Sequence, residues 1–144
     1  MNTAVNQNPL TEIFGEIISS YSRSQGIEDG FLVDVTKTAQ EAGITFPVAL
    51  TRAAWEDCVA WTEADENRKG FTGNSENGRI WDVIFMAANA MRRSAKGGSQ
   101  LIYSFYRIPR EGKGRKPRLV SLKLIVGPGD SMEPVITIMQ TNED

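Results

Sequence analysis

The stretch LIVGPGDSMEPVITIM, residues 124–139, sets two apolar runs around Gly127, Pro128, Gly129 and Asp130. Its reading decides the fold. As a phosphate-cradling loop it would signal chemistry; as a turn it would only join two strands. A phosphate loop aims free N–H groups and a helix dipole at its anion, and a Walker loop carries Lys-Ser/Thr after its last glycine. Here Asp130 follows Gly129 and repels an anion, and PVITIM reads as a strand. The stretch therefore predicts a hairpin. Gly127 and Gly129 are expected to supply positive φ, Pro128 fixes its own, and Pro134 opens the next strand. Asp130, Met132 and Glu133 stand at its tip, where loops often carry contacts.

Upstream, the alternation has period two. In LIYSFYRI, residues 101–108, Leu101, Tyr103 and Phe105 alternate with Ile102, Tyr106 and Ile108. In RLVSLKLIV, residues 118–126, Val120, Leu122, Leu124 and Val126 alternate with Ser121, Lys123 and Ile125. Three successive strands with hairpin-length connections predict an antiparallel meander.

Before residue 98 the period is helical. Leu10, Ile13, Phe14, Ile17, Ile18 and Tyr21 mark one face of a helix opened by Asn8 and Pro9 and stopped near Gly26. Phe31 to Val35 reads as a short strand or an extended lead-in. Asp34 or Thr36 is expected to cap a short helix through Ala42, with Gly43 as its stop. A further helix is expected from Pro47, with Leu50, Trp55, Cys58 and Val59 on its buried stripe. Residues 63–78, EADENRKGFTGNSENG, show no periodicity and read as a solvated loop, without the spacing of an EF-hand. The last helix runs from about Arg79 to Ala95, its apolar face formed by Ile80, Trp81, Ile84, Phe85, Ala88 and Met91; Gly97 and Gly98 stop it. The fold class is thus α+β: N-terminal helices packed on a C-terminal three-stranded antiparallel meander. Residues 1–8 are expected to be a disordered lead and residues 9–144 one domain.

Composition bounds the chemistry. The 144 residues are 40% hydrophobic and 24% charged, a globular mix, and there is no histidine. That removes Ser-His-Asp and Cys-His nucleophile activation and His metal ligation. The single cysteine, Cys58, fits a reducing compartment and reads as a small core hydrophobe. No apolar run is long enough for a membrane span, and MNTAVNQNPL has neither the basic start nor the apolar core of a secretory signal. A cytoplasmic protein is expected, with no cofactor and no metal.

Charge is segregated. Residues 92–123 hold ten basic side chains and one acid, whereas residues 1–91 hold thirteen acids and six bases. The segment RIPREGKGRKPR, residues 107–118, is a basic hairpin loop beside Tyr103, Phe105 and Tyr106. Such loops bind nucleic acid through phosphate contacts and stacking, or an acidic protein surface, or stay solvated and guard a sheet edge. The partner-binding candidates are Arg107, Arg110, Lys113, Arg115, Lys116 and Arg118, with Asp130 and Met132 at the other hairpin.

Three stretches carry a resemblance: LTEIFGEIISSYSRSQGIEDGFLVDVTKTAQEAGITFPVALTRAAW (10–55), GRIWDVIFMAANAMRR (78–93) and LKLIVGPGDSMEPVITIM (122–139). They resemble a small uncharacterised bacterial family, a domain of unknown function met in phages, plasmids and integrated mobile elements. Residues 58–77 and the basic loop look like its variable parts. The resemblance brings no catalytic residue. It implies an accessory protein of a mobile element, and by analogy an anti-defence, anti-CRISPR-like inhibitor that occludes a host nucleoprotein complex. The alternatives are a nucleic-acid-binding accessory protein using the basic hairpin, and a nucleotide-directed enzyme built on carboxylates, with Asp34, Glu76 and Asp82 as its candidates.

Overall fold

The computed structural model of the chain describes residues 21–94 and 97–144. The lead expected over residues 1–8, and the helix expected from Leu10 up to residue 20, lie outside the described residues. Within them the chain runs α1 (Arg23–Glu28), β1 (Leu32–Asp34), α2 (Thr36–Glu41), β2 (Val48–Thr51), α3 (Arg52–Cys58), α4 (Glu63–Lys69), α5 (Glu76–Arg93), β3 (Gln100–Arg107), β4 (Arg118–Pro128) and β5 (Pro134–Gln140).

The fold is α+β, with one five-stranded mixed sheet in the order β1-β2-β5-β4-β3. The period-two stretches form three antiparallel neighbours, with Tyr103 opposite Leu122 and Leu124 opposite Ile138. The expected meander is nevertheless only part of the sheet. β2 lies parallel to β5, Val48 opposite Ile136 and Leu50 opposite Ile138, and β1 extends the sheet antiparallel to β2. The helix expected from Pro47 is therefore corrected. Pro47 leads into β2, where its carbonyl accepts from the Ile136 N–H at 2.8 Å. A four-residue apolar run reads equally well as a first helical turn. The helix starts after Thr51, whose Oγ1 accepts from the Ala54 N–H at 3.2 Å.

The loop expected over residues 63–78 is also corrected. Its first half is α4, opened by a Thr62–Asp65 capping box and closed by Gly70 in the left-handed region at φ 84°. Ser75 caps α5, accepting from the Gly78 N–H at 3.1 Å.

One face of the sheet carries the core. Val48, Leu50, Tyr103, Phe105, Leu122, Leu124, Ile136 and Ile138 meet Ala39 of α2, Ala54 and Cys58 of α3, and Val83, Ile84, Ala87 and Ala88 of α5. The Tyr103 hydroxyl donates to the Val83 carbonyl at 3.1 Å, so burial of the ring leaves its polar end paired. The inward face of α5 is rotated from the expected one. Trp81 and Phe85 stack on each other at 5.7 Å and are 38% and 41% exposed.

The opening stretch is a hairpin, with β4 and β5 paired from Leu122–Gln140 to Pro128–Pro134. Its backbone differs from expectation. Positive φ falls on Met132, at 67°, and not on Gly127 or Gly129. Gly129 is needed for space, since a Cβ there would stand 2.8 Å from Val135 Cγ1 and closer still to the Glu133 carboxylate. The Gly129 N–H meanwhile donates to the Glu133 carbonyl at 2.6 Å.

Candidate functional site

The basic segment leaves β3 at Arg107 and enters β4 at Arg118. Its glycines and prolines preclude regular structure, so its shape is set by what holds it. The first anchor is Arg107, whose Nη2 donates to Asp57 Oδ1 of α3 at 2.9 Å. Beneath it, Arg79 of α5 is 3% exposed and donates to the Ile108 carbonyl at 2.9 Å and the Val59 carbonyl at 3.2 Å. The same guanidinium lies 4.5 Å from the centre of the Trp61 ring. A buried charge of this kind persists only when its donors are used, and here they are used by those two carbonyls, Asn74 Oδ1 at 3.0 Å and the Asp57 carbonyl at 3.5 Å.

The second anchor is α4. Asp65 is 5% exposed and accepts from the Thr62 N–H at 2.8 Å, Arg110 Nε at 2.8 Å and Arg68 Nη1 at 2.9 Å. Burial alone would raise its carboxyl. The Thr62 N–H, the Arg110 guanidinium, the Thr62 hydroxyl and Arg68 together outweigh that and hold it well below the usual carboxylate range. Arg110 also reaches Glu56 Oε1 at 2.9 Å. Arg68 Nη2 donates to the Arg110 carbonyl at 2.6 Å. Lys69, 1% exposed, turns its ammonium to the carbonyls of Glu111 and Gly114, the first at 3.2 Å. Burial, with Arg68 alongside, lowers that ammonium from its ordinary value. Arg115 lies across Gly70, where a Cβ would approach its Nη2 to 2.9 Å.

The six basic candidates thus divide by role. Arg107 and Arg110 are committed to carboxylates and tie the loop down. Lys113, Arg115, Lys116 and Arg118 are exposed and form no ion pair among the described residues. Arg68, Lys69, Arg79 and Asp65 were missed as partners of the loop. A legible signal existed for one of them: Thr62 three residues before Asp65 is a capping-box spacing.

Asp130 and Met132 are not part of this surface. They lie past the far end of β4, an eleven-residue strand, so about 30 Å away. Asp130 accepts from the Arg23 N–H at 2.7 Å and the Ser24 N–H at 3.1 Å, and so caps α1 from outside the helix. Those two N–H groups, more than burial opposes, lower its carboxyl from its ordinary value. Arg23 reaches back to Thr137 Oγ1 at 2.8 Å and the Ile136 carbonyl at 2.6 Å, so α1 and the hairpin are clasped from both sides. Met132, 78% exposed, stands clear at the tip.

The carboxylates considered for catalysis are dispersed. Asp34 is on edge strand β1, accepting from the Thr36 N–H at 3.1 Å and the Thr36 hydroxyl at 2.6 Å. Asp82 lines a groove against β3, the opposite edge, and Glu76 opens α5. Among the described residues no three His, Cys, Asp or Glu side chains are placed to hold a metal ion, and no helix is long and apolar enough to cross a membrane.

No curated protein and no solved structure matches the chain. A family model does match, over residues 11–144, nearly the whole length, and covers the sheet, α4 and the pinned loop alike. The chain belongs to the family of unknown function DUF6573.

Proposed function

We propose that the chain is a non-enzymatic binding protein that docks on the phosphate-bearing surface of a nucleoprotein complex through loop 108–117 and Arg118. The observation that carries this reading is the division of labour in the loop. Arg107 and Arg110 hold its base to Asp57, Asp65 and Glu56, while four exposed cations within the six residues 113–118 form no ion pair among the described residues. A loop already ordered loses less conformational entropy on binding. Its free cations suit phosphate contacts, which give affinity and register without reading sequence.

The test is fluorescence anisotropy with labelled single- and double-stranded oligonucleotides over a salt series. The native chain is expected to bind at low salt. Replacing Lys113, Arg115, Lys116 and Arg118 together with alanine is expected to flatten the slope of log K against log salt by about 3. No binding by the native chain at low salt overturns the reading. The finer assignment, an anti-defence inhibitor encoded by a mobile element, rests on the family resemblance alone. Its test is phage restriction by a defended host expressing the chain: restriction is expected to fall, and unchanged restriction sinks the assignment.

A further inference from the structure

The two edges of the sheet are treated differently. β1 is three residues long and ends in Asp34, a short, charged edge of the kind that resists pairing. β3 is eight residues, QLIYSFYR, with no proline, glycine or lysine. Its one charge, Arg107, is turned to Asp57. Ile102 and Tyr106 are 56% and 68% exposed. A long, flat, apolar edge is a template for another strand unless something covers it.

The hydrogen-bonding phase of that edge follows from one bond. The Val126 N–H donates to the Ser99 carbonyl at 2.8 Å. In an antiparallel ladder, bonded and non-bonded pairs alternate. Leu101, Tyr103, Phe105 and Arg107 therefore bond to β4, and the N–H and C=O groups of Ile102, Ser104 and Tyr106 point out of the sheet.

We infer that β3 is the interface of a homodimer, pairing antiparallel with β3 of a second copy about a dyad at Ser104. This register sets Ile102 against Tyr106 of the partner subunit and Ser104 against Ser104 of the partner subunit. It is the outward-pointing set that meets, so about six main-chain hydrogen bonds form without disturbing β4. Isologous pairing of this kind joins two five-stranded sheets into one.

Charge complementarity points to a second copy as the occupant. α5 runs along the edge, with Asp82 and Phe85 beside Ser104–Tyr106 and Asn89 and Arg93 beside Leu101–Ser104. The dyad reverses the partner, so Asp82 of one copy is brought to the Arg93 end of the other's groove. Asp82 and Arg93 are both exposed and neither forms an ion pair among the described residues. The inference is independent of the basic loop.

Sedimentation equilibrium of the native chain at micromolar concentration is expected to give a dimer. Asp82→Arg and Arg93→Asp are each expected to weaken it by about tenfold, and the two together to restore it. Ser104→Pro removes an outward N–H and is expected to give a monomer, with circular dichroism checking that the fold is kept. A dimer insensitive to all of these changes places the interface elsewhere and overturns the inference. So does a native monomer. Hydrogen exchange then tells its two forms apart: protected Ile102, Ser104 and Tyr106 amides mean another segment of the chain covers the edge, and unprotected ones leave it to a partner's strand.

Discussion

Cys58 ends α3 with 1% of its surface exposed. Burial pushes its thiol up to about 12, with Asp57 adding to the effect and the Arg107 guanidinium partly opposing it. The apolar stripe indicated burial, but the cation beside the thiol comes from β3 and was not visible in the helix's own sequence. Because the folded thiol titrates above the unfolded one, its contribution to stability is full at neutral pH. It is lost as pH rises through the window between the two. A thiol reagent at neutral pH is therefore expected to leave the native protein unlabelled and to react on addition of denaturant. Rapid labelling of the native state would contradict this. At the hairpin, Gly129→Ala is expected to cost about 1–3 kcal/mol in chemical denaturation, because the new Cβ collides with Val135 and Glu133. Asp130→Ala is expected to lower the denaturation midpoint at neutral pH by taking the acceptor from the Arg23 and Ser24 N–H groups at the start of α1. Its folded carboxyl is depressed, so the native protein loses this contribution as pH falls below the ordinary carboxylate value toward the depressed one. The variant's stability should be flatter over that window. The glycines announced a turn; only the packing shows that one serves space and that the aspartate serves a helix a hundred residues earlier.

At the scale of elements, α4 is the instructive case. EADENRK has a single apolar residue, Ala64, so no hydrophobic period could announce a helix. Its stability comes from its ends and partners. Thr62 and Asp65 cap it reciprocally. Glu66 accepts from Trp61 Nε1 at 3.0 Å and Thr72 Oγ1 at 2.7 Å, and so also orders the turn toward α5. Lys69 and Arg68 carry the basic loop. Asp65→Ala removes the side-chain half of the capping box and one carboxylate partner each from Arg110 and Arg68. A loss of about 2 kcal/mol is expected, with faster tryptic cleavage after Lys113 and Arg115. Unchanged cleavage kinetics would show that the loop is held without α4. The charge segregation in the sequence singled out this region. It did not distinguish the arginines that anchor the loop from the cations left facing solvent, because that depends on which acids the fold brings beside them.

For the whole molecule, the central event is the docking of β2 beside β5. Leu50 is fully buried between them and α3. Leu50→Ala is expected to cost about 2–5 kcal/mol in urea denaturation, with tryptophan fluorescence and far-ultraviolet circular dichroism moving together. A cost near zero would mean that β2 is peripheral. Local pattern determined much of this protein without help. It determined the α+β class, the β3-β4-β5 succession, the body of α5 though not its end at Arg93, where Ser94 and no glycine is the cap, the hairpin at Gly129, and the basic loop. Each rests on a period or a turn signal contained in a few adjacent residues. The tertiary structure alone decided the rest: the parallel β2-β5 pair, the inward rotation of α5 away from Trp81 and Phe85, the helical state of residues 63–69, and the roles of Asp65, Lys69 and Asp130. A parallel pairing has no turn of its own to announce it. A buried ion pair or a distant cap is likewise a contact between residues far apart in the chain, so it exists only once the chain has closed on itself.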